Sequence, residues 1–106
     1  MGGGMNMQNM MAQAQRMQQN MMKMQEEFEA KEFEATAGGG VVKAVVSGAK
    51  KLKVIEISQE VVDPDDVETL QDLIVAAVNE ALNTANTEYE QEMGKLTGGM
   101  NLGGMF

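Results

Sequence analysis

Cysteine and histidine are both absent from this chain of 106 residues. Without cysteine there is no disulfide, no thiolate metal ligand and no cysteine nucleophile. Without histidine the chain also lacks the commonest general base and a common transition-metal ligand. We therefore expect a protein that is not an enzyme and that holds neither a metal ion nor another cofactor.

Aromatic residues and long apolar segments are also scarce. Aromatic residues make up 4% of the chain, and tryptophan is absent. No apolar run approaches the 18 residues of a membrane-spanning helix, and residues 1–6 lack the basic and apolar segments of a signal peptide. A hydrophobic content of 43% nevertheless supports a folded core. We expect a single domain over residues 1–106, located in the cytoplasm, without a membrane partner or a small-molecule substrate.

The formal net charge of −8 is unevenly distributed along the chain. Residues 1–25 carry Arg16 and Lys23 and no acid, and residues 35–55 carry four lysines and no acid. Residues 57–106 carry ten acidic side chains and one lysine. An acidic chain as a whole repels a polyanion, but the two acid-free segments can form basic surfaces.

A heptad-like seam of apolar residues occupies the stretch from Met5 to about Phe33. The spacing alternates threes and fours, which predicts a helix with one apolar face that ends near Ala30. Methionine predominates in this seam, and its flexible thioether suits an adaptable contact surface. The seam consists of Met7, Met10, Ala14, Met17, Met21, Met24 and Phe28.

The segments that follow predict a three-stranded antiparallel meander. Residues 32–37 alternate with period two, residues 41–47 are rich in valine, and residues 51–58 form a third apolar segment. Short glycine-containing turns separate them, as in consecutive hairpins. The alternation of the third strand changes phase at Val54–Ile55, which indicates a β-bulge.

A second long helix is predicted after the sheet. Asp63 suits its N-cap and Pro64 its first position, and a broad apolar stripe runs from Val67 to Ala85. Gly94 or Gly98 is expected to end it. The fold class is therefore α+β: a long N-terminal helix, a meander and a long C-terminal helix. Residues 1–4 and 97–106, which are rich in glycine, are expected to be flexible.

The predicted helix and sheet differ in length. About 28 helical residues span roughly 42 Å, whereas a seven-residue strand spans about 23 Å. A single subunit would leave the methionine seam exposed, and an apolar patch of that kind marks an interaction site. We therefore expect a homodimer with two-fold symmetry. The expected dimer or partner contacts are Met7, Met10, Met17, Met21, Met24 and Phe28.

The basic segments are candidates for phosphate contacts. Clustered lysines and arginines bind a nucleic-acid backbone by charge and counterion release, without reading bases. The alternative interpretation is an edge strand that its lysines protect from aggregation. The candidate DNA-binding residues are Arg16, Lys23, Lys43, Lys50, Lys51 and Lys53.

Several segments together carry a family resemblance, namely Gln13–Gln18, Met24–Glu27, Gly40–Lys43, Val54–Ile57, Leu70–Ala81 and Gly98–Met100. In combination they resemble the YbaB/EbfC family of bacterial nucleoid-associated proteins. The resemblance implies a homodimer with protruding helices that binds double-stranded DNA with little sequence preference. It further implies a role at the nucleoid in chromosome organisation or gene regulation. The alternative from the residues alone is a methionine-rich protein–protein interaction module with weak or no DNA binding.

Overall fold

The computed structural model describes residues 2–97, with the side chains of residues 7–96. The element order confirms the predicted α+β class: a long helix, three strands, a 3₁₀ turn and a second long helix. The expectation of a flexible tail falls largely on residues 98–106, outside the described part of the chain. Residues 2–4, expected to be flexible as well, are the first residues of the N-terminal helix. The elements are α1 (Gly2–Ala30), β1 (Glu32–Ala37), β2 (Val42–Ser47), β3 (Leu52–Ile57) and α2 (Val67–Thr97).

The three strands form an antiparallel sheet in the order β1-β2-β3. The β1–β2 hairpin is regular from Glu32↔Ser47 to Ala37↔Val42. In the β2–β3 hairpin, Val45 pairs with Val54 but Val46 pairs with Leu52, so one extra residue lies on β3. This is the β-bulge that the sequence indicates, placed one residue earlier than expected.

The core lies between the sheet and α2. Val42, Ala44 and Val46 alternate along β2 and are fully buried. On α2, the three buried positions Ala77, Ala81 and Ala85 follow at intervals of four residues and belong to the same cluster. Small alanines at these positions allow the helix to lie close to the sheet. The helix packs across β1 and β2, so β3 lies beyond its main contact.

The start of α2 differs from the prediction. Asp66, not Asp63, caps the helix: the backbone N–H of Thr69 donates to Asp66 Oδ1 at 3.3 Å, and Thr69 Oγ1 donates to Asp66 Oδ2 at 2.7 Å. Asp63 instead begins a turn, in which Pro64 is the second residue and Asp66 N donates to Asp63 O at 2.9 Å. Asp at the first position and Pro at the second are also the preferences of a type I turn, so the same residues suit both structures.

Of the two glycines expected to end α2, Gly94 does not end it. Gly94 lies within the helix, which continues to Thr97 and is followed in sequence by Gly98. Gly94 does not have the positive φ of a helix-terminating glycine.

The C-terminal part of α2 lies beside α1, and the two helices run antiparallel. The Phe28 ring of α1 lies 5.2 Å from the Tyr89 ring of α2, and further out Met17 and Leu96 line one depression. The radius of gyration is 21.1 Å, whereas a compact chain of this length has about 13 Å. The two helices therefore form an arm that projects from the sheet, and we call them the helical arm.

Candidate nucleic-acid interface

Two exposed cations lie on α1. Arg16 and Lys23 are exposed and seven residues apart, which places them on one side of the helix about 10 Å apart along its axis. No described residue forms an ion pair with either one. The charge of both groups is therefore available to an anionic partner.

The β2–β3 turn presents two further cations. The Ser47 hydroxyl accepts hydrogen bonds from Ala49 N at 3.2 Å and Lys51 N at 3.3 Å. Lys50 N donates to Ser47 O at 2.8 Å, and Lys50 has a φ of 65°. A left-handed conformation is costly for a residue with a Cβ atom, so the surrounding hydrogen bonds must hold it. The turn therefore presents Lys50 and Lys51 from a defined backbone.

The same turn is joined to the base of α1. Gly48 N donates to Lys31 O at 3.0 Å, immediately after the helix ends. An open depression of about 300 Å³ lies between the two elements and includes Gln25, Glu29 and Lys50 in its lining. The structure thus brings the turn lysines next to the base of the helix that carries Arg16 and Lys23.

Lys43 and Lys53 have different surroundings. Lys43 lies between two carboxylates, with Nζ 3.5 Å from Glu34 and 3.6 Å from Glu56, and Lys53 Nζ is 3.7 Å from Glu32. All five side chains lie on the sheet face opposite α2, which we call the open face. Three glutamates and two lysines give this face a local charge of −1. Exposed ion pairs are weak, but the surface as a whole does not attract an anion.

The exposure of the methionine seam changes along its length. Met7 and Met10 are each 65% exposed, whereas Met17 and Met21 are 47% and 37% exposed. Met24 is half-buried. Exposure decreases toward the sheet because the seam there turns to α2 of the same subunit. The expectation that one subunit leaves the whole seam uncovered is therefore wrong for its C-terminal part.

Phe28 belongs to the interior of the subunit. It is 4% exposed, its ring lies 5.4 Å from Phe33 and 5.2 Å from Tyr89, and Lys31 Nζ lies 5.9 Å from its centroid. The prediction that it lies on an external contact surface is corrected: heptad spacing identifies the apolar face but cannot tell which neighbour covers it.

Lys95 is a candidate that the sequence interpretation missed. It lies in the last turn of α2, next to Leu96, which shares a depression with Arg16. No described residue forms an ion pair with it. In the net charge of residues 57–106 this lysine is outweighed by ten acidic residues, whereas the net charge of the last turn alone is positive.

The described residues contain no cluster of three acidic, cysteine or histidine side chains arranged to hold a metal ion. Among them there is also no helix whose length and hydropathy would let it cross a membrane. What remains is a small α+β scaffold with a projecting helical arm and unpaired cations along it and at its base.

Comparison with known proteins assigns this chain to a protein family. The model of the YbaB/EbfC DNA-binding family matches residues 1–100. A nucleoid-associated protein of Clostridium novyi is 60% identical over 106 residues, covering 100% of this chain and 93% of that protein. A nucleoid-associated protein of Thermoanaerobacter pseudethanolicus is 58% identical over 104 residues, covering 98% and 94%. The chain belongs to the YbaB/EbfC DNA-binding family, as its sequence resemblance predicts.

A solved structure supports the fold independently of sequence similarity. An uncharacterized protein from Helicobacter pylori superposes with a TM-score of 0.71 at 16% identity, covering 82% of this chain and 91% of that one. At this identity the similarity concerns the fold alone. The family and the named relatives point to DNA binding rather than to catalysis.

Proposed function

We propose that this protein is a nucleoid-associated protein that binds double-stranded DNA as a homodimer. One observation carries the proposal. Arg16, Lys23, Lys50 and Lys51 have no carboxylate partner among the described residues; the first two lie on α1, which has no acidic residue up to position 25, and the other two lie on the turn at its base. The family and the names of close relatives support DNA as the polyanion.

The chemistry of these groups predicts binding with little sequence preference. Lysine and arginine at this spacing neutralise phosphates, and phosphate contacts fix position without carrying sequence information. Little aromatic surface is available to stack on bases, since three phenylalanines and one tyrosine are the only aromatic residues. We therefore assign the protein to chromosome organisation, with an effect on gene regulation through occupancy of DNA.

The acidic residues constrain how the protein meets a duplex. Ten acids lie in residues 57–106, and most belong to α2 or to the turn before it. Like-charge repulsion would cancel the attraction if that surface faced the phosphates. DNA therefore approaches the side of α1 and the β2–β3 turn, while the exposed face of α2 points away.

We assign Lys43 and Lys53 a smaller contribution to DNA binding. Their carboxylate neighbours already compensate their charge, and a phosphate would have to displace an ion pair of 3.5–3.7 Å. Lys53, on the outer strand β3, fits the sequence alternative of an edge strand that its lysines protect from aggregation, whereas Lys43 lies on the central strand β2. The DNA contacts are thus assigned to Arg16, Lys23, Lys50 and Lys51.

A homodimer doubles this surface. Two subunits present eight such cations, and attraction to the duplex rises with the number of phosphates neutralised. The exposed methionines Met7 and Met10 remain a proposed partner contact near the tip of the arm. A protein-interaction module without DNA binding is not favoured, because the family is a DNA-binding one.

The test is a titration of a random duplex DNA by fluorescence anisotropy across a series of salt concentrations. In the proposed homodimer the double variant Lys50→Gln/Lys51→Gln removes four cations, and it should reduce the slope of log K against log salt by up to about 3.6, since each phosphate contact contributes about 0.9. The matched control Lys43→Gln/Lys53→Gln removes the same charge from the open face and should change the slope by less than half as much.

Two results would contradict the proposal. Wild-type protein that fails to bind duplex DNA at 50 mM salt would exclude the function. An equal or greater loss of slope in the control variant would transfer the contact surface to the open face. Light scattering on the same samples should give twice the chain mass of 11.5 kDa.

A further inference from the structure

Methionine is concentrated on α1. Of the twelve methionines in the chain, eight lie between Gly2 and Ala30. The chain has neither cysteine nor tryptophan, so no thiol competes with these thioethers for an oxidant. Oxidation to sulfoxide turns a flexible apolar side chain into a polar one, which changes any contact that the side chain makes. The sulfur atoms that an oxidant can attack therefore lie mainly on one helix.

The methionines of α1 differ in their access to solvent. Met11 and Met22 are 63% and 61% exposed, nearly as open as Met7 and Met10 near the tip of the arm. Met11 and Met22 also lie outside the heptad seam, so packing along the seam does not account for methionine at these positions. We call these four residues the outer methionines. A small oxidant dissolved in water reaches all of them.

Met17 and Met21 take part in the packing of the arm. They belong to the part of the seam that turns to α2, and they are less exposed than the outer methionines. Met17 lines a depression of about 330 Å³ together with Leu96, near the C-terminal end of α2. Arg16 lines the same depression, so the position of this cation depends on how the two helices pack there. We call Met17 and Met21 the inner methionines.

We propose that α1 is a site of methionine oxidation by hydrogen peroxide, and that oxidation of the inner methionines separates the two helices of the arm. The sulfur lone pair attacks one oxygen of the peroxide. An S–O bond forms, the O–O bond breaks, and the second oxygen leaves as water after proton transfer. The sulfur atom is oxidised by two electrons and the peroxide is reduced by two. A dithiol reverses the change: it is oxidised to a disulfide, and the sulfoxide oxygen leaves as water.

The two groups of methionines respond differently to the same reaction. A sulfoxide at an outer position meets water, which hydrates its polar oxygen. A sulfoxide at Met17 or Met21 places a polar oxygen in the apolar contact with α2, where it loses hydrogen bonds unless the helices separate. Oxidation adds no charge, so Arg16 and Lys23 keep theirs. They lose the packed helix pair that fixes their position.

The effect on DNA rests on the DNA binding proposed above. The packed arm presents its cations in a fixed arrangement, and the apparent affinity falls in proportion to the fraction of molecules in which the arm is packed. If oxidation lowers that fraction to about one third, the affinity for duplex DNA falls about threefold. The protein thus releases DNA when peroxide rises and binds it again after reduction.

The order of oxidation is the first test. The full-length protein is treated with hydrogen peroxide, and tandem mass spectrometry of its peptides gives the rate of oxidation at each methionine. The outer methionines should react at least about threefold faster than Met17 and Met21, because susceptibility follows exposure, and unfolding in urea should remove the difference. Equal rates in the folded protein, or faster reaction at Met17 and Met21, overturn the proposal.

Leucine variants test the consequence for the arm. Met17→Leu/Met21→Leu removes the inner thioethers while it conserves apolar volume and helix propensity, and Met11→Leu/Met22→Leu is the matched control. After oxidation, the wild type and the control should lose about threefold in affinity for duplex DNA and should exchange amide hydrogens faster near Leu96. The inner variant should lose less than half as much. A methionine sulfoxide reductase with a dithiol should restore the wild type.

Two further results overturn the inference. An equal loss of affinity in the oxidised inner variant shows that Met17 and Met21 do not control the arm. Unchanged hydrogen exchange in the oxidised wild type shows that the helices stay packed. Wild-type protein that does not bind DNA before oxidation contradicts the proposed function instead, and the oxidation rates and hydrogen exchange then decide the inference without DNA.

Discussion

Gly48 lies directly against the backbone carbonyl of Phe28. A Cβ atom at position 48 would overlap the carbonyl oxygen and would stand 2.7 Å from its carbon and 2.8 Å from Phe28 Cδ2. The β2–β3 turn and the last turn of α1 therefore approach as closely as a residue without a side chain allows. This contact sets the position of the turn lysines relative to the helical arm.

Gly48→Ala is expected to destabilise the protein. The obstructing atoms belong mainly to the backbone and cannot move without displacing α1 or the turn, and overpacking of this kind costs about 1–3 kcal/mol. Thermal unfolding should show a lower Tm, and hydrogen exchange should show loss of protection at the end of α1.

Gly94→Ala is the matched control for that substitution. The position lies within α2 and nothing stands within 4 Å of a Cβ atom there. Alanine is a better helix former than glycine by about 0.8–1.0 kcal/mol, so the Tm should rise. A change of the same sign in both variants would show that crowding at Gly48 does not determine the result.

Lys50→Gly separates stability from DNA binding. The left-handed φ of 65° destabilises the folded state by roughly 1–2 kcal/mol when the residue is not glycine, and glycine removes this cost. Part of that gain is lost because glycine also increases the conformational entropy of the unfolded chain. The free energy of unfolding should therefore rise by up to about 1 kcal/mol. DNA affinity should nevertheless fall, because a phosphate contact is lost.

Lys51→Gly removes the same charge from the neighbouring position, which does not have a positive φ. We expect a loss of stability of about 0.5–1 kcal/mol together with a similar loss of affinity. Chemical denaturation and anisotropy on the same preparations measure both quantities. Equal stability changes in the two variants would show that the conformation of Lys50 carries no strain.

The sequence predicts the elements of this fold better than it predicts their contacts. Periodicity locates β1 to the residue and the other strands to within one, because alternation directly reflects which face is buried. It cannot show that Phe28 is covered by Tyr89 of the same chain, since that contact joins residues 61 positions apart. The ion pairs of Lys43 with Glu34 and Glu56 likewise depend on strand register, which a charge count along the chain does not contain.

Asp66→Ala tests the observed start of α2. The side chain satisfies the Thr69 backbone N–H and hydroxyl, so its removal should cost about 1 kcal/mol of stability. Asp63→Ala removes one exposed hydrogen bond, of 2.9 Å to Asp65 N, and should cost less. Urea denaturation of the two variants distinguishes them, and a larger loss at Asp63 would place the cap at the position that the sequence predicts.

Removing the carboxylates around Lys43 should strengthen DNA binding. The double variant Glu34→Gln/Glu56→Gln changes the local charge of the open face from −1 to +1 and releases Lys43 Nζ from both neighbours. Since each additional phosphate contact increases the magnitude of the salt slope by about 0.9, and Lys43 occurs once in each subunit, the titration should become steeper by up to about 1.8. Stability should change little, because exposed ion pairs contribute at most about 1 kcal/mol.

The control for this gain is Glu80→Gln/Glu90→Gln on the exposed side of α2. It makes the same change in net charge, from −8 to −6, on a surface that faces away from the duplex in the proposed arrangement. A general electrostatic effect would raise affinity equally in both double variants. A larger gain in the open-face variant indicates that the carboxylates of the sheet restrain its lysines in the native protein.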